Sequence, residues 1–355
     1  MTQKEDGQIR LTKKQTLKNQ SLENNPMGGT TTMKTYLTMA AVAASLIVAG
    51  APAQAQTKLK WAHVYETSEP FHTESVWAAD EFKKRTNGRY EITVYPASQL
   101  GKETDINQGL TLGTVDVIIS GSSFAARSFA PIGVTYYPFT FRSPEHLLTY
   151  TKSDVFTDMA KGYQEKTGHQ IVSVTYYGTR HTTSNKPIKS CADMKGLKIR
   201  VPDVPAYLAM PRACGANTAP IAFAEVYLAL QNGTVEAQEN PLTTIEAKKF
   251  YEVQKHIVLT GHIVDHLNTV VAKQLWDKLS PEDRKIFSEV AQEASARATK
   301  KIQADEVKLV QFFKDKGLTV TEIDKADFLA NVQKNVTFEQ FGYRKADWER
   351  IQAIK

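Results

Sequence analysis

The sequence is poor in cysteine and in long apolar runs. Its 355 residues contain two cysteines, Cys191 and Cys214, which is far below the content of a disulfide-rich scaffold. In an oxidising compartment the two could form a disulfide; otherwise they would be two buried free thiols, and the sequence leaves both alternatives open. Beyond the N-terminal region no apolar run approaches the roughly 18 residues of a membrane-spanning helix, so we expect the mature chain to be soluble.

A concentrated basic charge is also missing. The formal net charge is +6. Residues 1–55 contain six Lys/Arg and three Asp/Glu, so the rest of the chain carries +6 − 3 = +3, spread without any basic run. Because nucleic-acid binding normally needs a clustered positive surface, we expect no nucleic-acid partner.

The N-terminal region has the layout of a secretory signal peptide. In "MKTYLTMAAVAASLIVAGAPAQAQ" a lysine follows Met33, an apolar stretch spans residues 36–50, and a small-x-small site ends at Ala55. This arrangement predicts a signal peptide over residues 33–55, cut after Ala55, and export to the periplasm. A membrane anchor is disfavoured because the run is short. Residues 1–32 are polar, and we expect them to be an extension upstream of the natural start.

Catalytic signatures are absent as well. The sequence has no GxSxG, P-loop, HExxH or CxxC motif, and no GxGxxG after a strand. The closest metal-like spacing is His262 and His266 in "GHIVDH", but the flanking alternation predicts a strand, where four residues separate two side chains by about 13 Å. We therefore expect no metal, no cofactor and no enzyme. A secreted lyase or hydrolase, which would need a base or metal in its cleft, is the open alternative.

The sequence does contain an alternation of strands and helices. The segments "LKWAHV" and "RYEITVYP" are typical of strands, and "EPFHTESVWAADEFKKRTNG" is typical of a helix. A second cycle begins near His169, with the strands "HQIVSVTYYGTR", "GLKIRVP", "TVEAQENP" and "GHIVDHLNTVVA" and the helix "FAEVYLALQNG". This order predicts an α/β fold with a mainly parallel sheet.

One helix is predicted to be unusually long. Ser280 is a suitable N-cap, Pro281 suits the first turn, and Gly317 ends the pattern. At 1.5 Å per residue such a helix spans roughly 50 Å, which exceeds a small domain. We therefore expect it to run across two domains.

Polar side chains lie at the predicted ends of three strands. Arg180 follows "YYGT", Arg200 ends "LKIRV", and Asn240 ends "VEAQEN". In open α/β sheets ligands bind beyond the carboxyl ends of the strands, and an arginine fork gives a carboxylate two parallel hydrogen bonds. The three residues together predict a receptor for an anion, although an arginine taken alone is more often part of a surface ion pair.

Several long segments resemble one known family. "YYGTRHTTSNKPI", "ADMKGLKIRVP", "IAFAEVYLALQNGTVEAQENP" and "KKFYEVQK", together with "YPASQLGKETD" and "LGTVDVIISG", resemble the DctP-type solute-binding proteins of TRAP (tripartite ATP-independent periplasmic) transporters. The resemblance covers about Thr57 to Lys355 in the same order. It implies a receptor that closes on an organic acid and delivers it to the small and large membrane subunits of an ion-coupled transporter.

The resemblance also implies an architecture. The expected fold is a two-lobed, Venus-flytrap periplasmic-binding-protein fold with a long helix spanning both lobes. The first lobe would comprise residues 56–177 plus about 267–305, and the second residues 178–266 plus about 306–355. We expect a monomer. A receptor that presents its ligand to a signalling protein would have the same sequence features, so that alternative stays open.

Candidate ligand contacts come from the same resemblance. It places the carboxylate-clamping arginine at Arg200, a second arginine at Arg180, an amide at Asn240, a ring that packs on the ligand at Phe223, and an acidic group of the first lobe at Glu103. The first strand's end, "WAHVYETSEPFH", adds four polar or ring-bearing candidates: His63, Tyr65, Glu66 and His72.

The substrate is predicted to be a sugar acid. The second-lobe segments look closest to the sialic-acid and sugar-acid branches of the family, but the glutamate that contacts ligand in the sialic-acid branch is Gly121 here. Ring-stacking and polar groups suit a polyhydroxylated acid, so we expect a hexuronate such as glucuronate or galacturonate. Sialic acid, C4-dicarboxylates and 2-oxo acids remain as alternatives.

Overall fold

The computed structural model describes residues 56–355, which contain one mixed sheet of nine strands. Along the sheet the order is β2-β1-β3-β8-β4-β7-β5-β6, with β9 beside β8. The predicted signal peptide and the extension before it lie outside the described residues. The strands are β1 (Thr57–Ala62), β2 (Tyr90–Tyr95), β3 (Val117–Gly121), β4 (Gln170–Ser184), β5 (Lys198–Val201), β6 (Asn217–Pro220), β7 (Ala237–Pro241), β8 (His256–Val271) and β9 (Thr319–Thr321).

Twelve α-helices of the described residues surround the sheet. In that same part of the chain, no helix combines the length and the apolarity needed to cross a membrane. The helices are α1 (Pro70–Arg85), α2 (Glu103–Leu112), α3 (Ser122–Ala125), α4 (Pro144–Tyr150), α5 (Asp154–Thr167), α6 (Pro205–Ala213), α7 (Val226–Gln231), α8 (Leu242–Ala247), α9 (Lys273–Lys278), α10 (Pro281–Asp315), α11 (Lys325–Asn335) and α12 (Lys345–Gln352).

The pairing of the strands divides the sheet into two parallel ends and an antiparallel centre. β1 pairs in parallel with β2 and β3, and β5 pairs in parallel with β6 and β7. Between these ends β4 and β8 pair antiparallel over most of their length. The mainly parallel sheet that we predicted is therefore wrong for the centre, where the two long strands β4 and β8 run antiparallel to each other and join the two ends.

The sequence pattern predicted that strand β4 ends at Arg180, but the strand is longer. It continues to Ser184, and from Arg180 to Ser184 it pairs with β7. Its register with β8 shifts near Gly178, whose φ of +125° is a conformation that suits glycine. The glycine marks an irregularity inside a strand that extends four residues beyond the predicted end at Arg180.

The long helix α10 matches its prediction. The Ser280 side chain accepts a hydrogen bond from the Asp283 backbone N–H, and Pro281 opens the first turn. Apolar residues from Phe287 to Ile302 join the larger hydrophobic core with β1, β3 and β4. Further along, Phe313 joins a smaller core with residues of α7 and α8. One helix thus packs against both ends of the sheet.

The two cysteines form a disulfide. Cys191 and Cys214 are both buried, and their Cα atoms are 4.8 Å apart. Of the two alternatives left open by the sequence, the structure has the disulfide. The bridge closes a loop that contains β5 and α6, so it constrains the segment that carries Arg200.

Removing this bridge should destabilise the protein. We expect the Cys191→Ser/Cys214→Ser variant to lose about 3 kcal/mol of unfolding free energy. Without the bridge, the two positions, which are 23 residues apart, are no longer held together in the unfolded chain, so its conformational entropy rises. Urea unfolding followed by circular dichroism measures the loss. Wild-type protein treated with a reductant is the matched control and should lose a similar amount; equal urea midpoints for all three samples would contradict the prediction.

Candidate ligand-binding site

A cavity of about 350 Å³ lies beyond the carboxyl ends of β1, β3, β5 and β7. This is the position at which open α/β sheets bind their ligands, and the volume is in the range of small-molecule sites. Both parallel ends of the sheet contribute to its wall. Six of the nine candidate residues line it: Tyr65, Glu103, Arg180, Arg200, Phe223 and Asn240.

Arg200 is a buried cation beside this cavity. Arg200 is the second-last residue of β5 and is only 2% exposed. Its Nε donates to the Ile221 carbonyl at 2.9 Å, while Nη1 is buried without a hydrogen-bond partner. Burial lowers the pKa of Arg200 to about 10, against the raising effect of Glu239, so the guanidinium stays charged at neutral pH.

No carboxylate of residues 56–355 lies within ion-pair distance of Arg200. A buried charge is costly unless it is paired and hydrogen-bonded. Because the guanidinium lines a cavity, an anion inside that cavity would supply the missing partner. The geometry is that of a receptor for a negatively charged group.

Arg180 has the opposite environment. Its Nε and Nη2 donate to the two carboxylate oxygens of Glu239 at 2.6 and 2.8 Å, and Nη1 donates to Asp265 at 2.9 Å. Burial would lower the pKa of Arg180, but Glu239, Tyr207 and Asp265 outweigh it and raise that pKa. The guanidinium is therefore largely neutralised by the protein itself.

Asn240 is held by this buried ionic cluster. Its Oδ1 accepts from Arg180 at 3.0 Å, and its Nδ2 donates to Gln238 at 2.6 Å. Behind it, the His262 ring contacts Glu239 at 3.1 Å. Desolvation would raise the pKa of Glu239, but Arg180 and His262 hold it at about 2. Arg180 thus positions the amide and the wall around it.

The opposite wall contains Glu103 at the start of α2. Its Oε1 accepts from the Ser120 hydroxyl at 2.8 Å and from the Gly121 backbone N–H at 3.2 Å. The Ser120 hydroxyl in turn accepts from Asn107 at 2.8 Å. Burial raises the pKa of Glu103 to about 7. At neutral pH this carboxyl is near the midpoint of its titration.

Aromatic rings cover the cavity. Tyr65 is buried, with ring centroids 5.3 Å from Tyr177 and 6.3 Å from Phe223. The Lys248 ammonium lies 5.2 Å from the centre of the Phe223 ring. The three rings present apolar faces, and the two tyrosines add hydroxyl groups, which is a surface suited to a polyhydroxylated molecule.

Three candidates lie outside the lining of the cavity. His63 and His72 contact each other through ring nitrogens 3.3 Å apart, and burial lowers the pKa of His63 to about 3. Glu66 pairs with Lys248 at 2.7 Å. The His63 ring stacks on the Tyr65 ring, and Lys248, the partner of Glu66, lies against the Phe223 ring.

Other lining residues were not among the candidates. Asp203 follows Arg200 closely, and Arg127 reaches its carboxylate at 3.1 Å from beyond α3. The proline and aspartate after "KIRV" were a turn signal that could have indicated Asp203. The other polar lining side chains that were missed are Lys102, Thr104, Tyr177, Tyr207 and Glu225, most of which lie within three residues of a candidate.

The predicted strand around His262 and His266 is confirmed, since both lie in β8. The His266 ring contacts Ser122 at 3.0 Å, whereas the His262 ring contacts Glu239. Among the described residues no group of three or more His, Cys, Asp or Glu side chains could hold a metal ion.

The fold and the cleft define a two-lobed periplasmic binding protein. The family model described as "Bacterial extracellular solute-binding protein, family 7" (DctP) matches residues 61–341, and the chain belongs to this family. It is a TRAP-type solute-binding protein and not an enzyme, as the sequence predicted.

Two curated relatives bind acidic sugars. The sialic acid-binding periplasmic protein SiaP of Vibrio cholerae is 33% identical over 292 residues, which are 82% of this chain and 91% of that protein. The 2,3-diketo-L-gulonate-binding periplasmic protein YiaO of Escherichia coli is 34% identical over 268 residues, which are 74% of this chain and 81% of that protein.

Two solved structures share the fold. A TRAP periplasmic solute-binding protein from Polaromonas sp. JS666 bound to D-erythronate superposes with a TM-score of 0.80 at 31% identity, over 84% of this chain and 99% of that one. Another, from Xanthobacter autotrophicus Py2 with bound β-D-galacturonate, superposes with a TM-score of 0.79 at 27% identity, over 84% and 100% of the two chains.

Proposed function

We propose that this protein binds a sugar acid in the cavity beside Arg200, and within that class a hexuronate such as glucuronate or galacturonate. The observation that carries the proposal is the buried Arg200 guanidinium, which has a backbone partner at Nε but no carboxylate partner among residues 56–355. A guest carboxylate would accept hydrogen bonds from its fork in a site shielded from water.

The rest of the cavity supports a polyhydroxylated guest. Besides the arginine, the wall offers the amide of Asn240, the carboxyl of Glu103 and the aromatic rings around Tyr65. These groups exchange hydrogen bonds with hydroxyls and pack against a carbon skeleton. The acids named for the relatives in the preceding subsection belong to the same chemical class.

The proposed mechanism is closure of two lobes about strands β4 and β8. We place residues 56–177 with about 267–305 in one lobe and residues 178–266 with about 306–355 in the other. Helix α12 is the one change to these boundaries: Arg350 donates to Asp158 of α5 at 2.7 Å, so we move α12 to the first lobe and end the second lobe before Lys345. Arg200 captures the carboxylate, and the first lobe then closes over the hydroxyls.

Delivery to a transporter completes the proposal. The signal peptide over residues 33–55 would direct export to the periplasm, where the loaded monomer would meet the small and large membrane subunits of a TRAP transporter. This step depends on the family's role in transport, and the bound acid would be the cargo.

A ligand screen tests the proposal. We expect glucuronate or galacturonate to raise the melting temperature, because a ligand at a hundred times its Kd adds about 2.7 kcal/mol to the stability of the folded state. Differential scanning fluorimetry compares these acids with aldonates, sialic acid and C4-dicarboxylates. If only sialic acid or a C4-dicarboxylate raises the melting temperature, the proposed substrate is wrong and that acid takes its place. If chromatography detects a product after incubation with an acid, the protein is an enzyme and the proposed function is wrong.

A further inference from the structure

Glu103 and Arg200 lie on opposite walls of the cavity. Glu103 opens α2 and is anchored to residues at the end of β3, while Arg200 belongs to β5. The sheet order places β8, β4 and β7 between β3 and β5. With strands about 4.8 Å apart, the two side chains approach a guest from opposite ends.

The orientation of the Glu103 carboxyl is fixed. Its Oε1 accepts hydrogen bonds from the Ser120 hydroxyl and the Gly121 N–H, and Asn107 holds the Ser120 hydroxyl in place. Its Oε2 makes no hydrogen bond within the described chain, and the residue lines the cavity. One oxygen is therefore committed to the protein, and the other is available to the guest.

The charges around the cavity leave room for one guest carboxylate. Glu239 and Asp265 both pair with Arg180, while Arg200 has no ion-pair partner among the described residues, so the formal charges of these four groups sum to zero. At the rim Asp203 is paired with Arg127. A guest carboxylate at Arg200 makes the interior negative by one charge, and an ionised Glu103 adds another.

We propose that Glu103 restricts this site to acids with a single carboxylate, because its free oxygen accepts a hydrogen bond from a hydroxyl at the far end of the guest and repels a second carboxylate there. The inference rests on the proposed function and narrows it. Uronates and aldonates satisfy the requirement, whereas aldarates, which carry a carboxylate at both ends, do not.

The selectivity should depend on pH. The groups that act electrostatically on Glu103 are Asp265 from β8, Arg180 from β4 and Tyr65 from the loop after β1, with Lys102 next to it in the chain. Burial of the carboxyl has a larger effect than any of these groups, and it raises the pKa of Glu103 to about 7. Below that pH the carboxyl is mostly protonated and its repulsion is lost; above it the repulsion is fully present.

Isothermal titration calorimetry with matched acids tests the inference. The probes are galacturonate and galactonate, with one carboxylate, and galactarate, with the same carbon chain and two. For wild-type protein we expect the Kd for galactarate to rise about tenfold between about pH 6 and about pH 8, as titration of one group near pH 7 requires. The Kd for the monoacids should change less than about threefold over the same interval.

Variants assign the effect to Glu103. In Glu103→Gln the pH dependence of galactarate binding should vanish, and its affinity at about pH 8 should rise about tenfold relative to that of the monoacid. Damage to the site that weakens the binding of both acids equally cancels in the ratio of their Kd values. Glu322→Gln, which removes an exposed carboxylate remote from the cavity lining, should behave as wild type.

The two possible failures are distinguishable. If wild-type protein binds galactarate and the monoacids equally well at about pH 8, or if Glu103→Gln keeps the pH dependence, the inference is wrong while the proposed function stands. If folded wild-type protein binds none of the three acids at either pH, the proposed substrate class itself is wrong.

Discussion

Replacing Arg200 with alanine is expected to abolish sugar-acid binding, with a Kd raised by about a hundredfold or more. Truncating one member of a buried, hydrogen-bonded charge pair typically costs 2–5 kcal/mol of binding free energy. A hundredfold rise in Kd corresponds to about 2.7 kcal/mol, and we expect at least that loss because no carboxylate of the described chain pairs with this guanidinium. Isothermal titration calorimetry with the acid identified in the screen measures the change.

Arg200→Lys should fail almost as badly, because a single ammonium cannot form two parallel hydrogen bonds with a carboxylate. The matched control is Arg212→Lys, since Arg212 is exposed and its Nε donates to Thr218. Without ligand, Arg200→Ala should melt no lower than wild type, because it removes an uncompensated buried charge. Wild-type affinity in the lysine variant would refute the clamp.

Local sequence signals predicted the start of α10 and the end of β5. The Ser280-Pro281 start of α10 was predictable because capping and the fixed φ of proline depend on adjacent residues. The position of Arg200 at the end of β5 followed from alternation and the proline after it. Such features need no knowledge of the remainder of the chain.

The pairings of buried groups were not predictable in this way. Arg180 and Arg200 look alike in sequence, yet Glu239 and Asp265 neutralise the first and no carboxylate of residues 56–355 neutralises the second. The difference depends on how β4 lies between β7 and β8. The extension of β4 beyond Arg180 was missed for the same reason, since its pairing with β7 is a long-range contact.

The anion-binding role of the two arginines and Asn240 followed from their places at predicted strand ends, whereas the roles of Phe223 and Glu103 came from the resemblance. Spacing alone did not separate Tyr65, which lines the cavity, from His63, two positions earlier and behind it. Alternation along an extended segment places residues two apart on the same face, but β1 ends at Ala62 and the chain then turns. The departure from regular structure decides which of these side chains lines the cavity.

Replacing Arg180 with alanine should damage stability more than binding. The substitution leaves the carboxylates of Glu239 and Asp265, both 0% exposed, without their cation. Breaking a buried ion pair in this way typically costs 3–5 kcal/mol, so we expect an unfolding free energy lower by about that amount in urea. The fraction that remains folded should still bind the acid, with a smaller loss than in Arg200→Ala.

The pH dependence of that loss identifies its cause. Without Arg180 the pKa of Glu239 in the folded state, which the ion pair holds at about 2, should rise above its value in the unfolded chain. The folded variant then binds more protons than the unfolded one, so its stability should fall as the pH rises and partly recover in acid. Arg212→Ala serves as the control and should unfold as wild type does at each pH. The loss of unfolding free energy in Arg180→Ala could instead stay constant between about pH 5 and about pH 8. That result would contradict the prediction, because the loss would then come from packing on the Tyr207 ring, 4.8 Å from the guanidinium carbon, and not from the unpaired carboxylates.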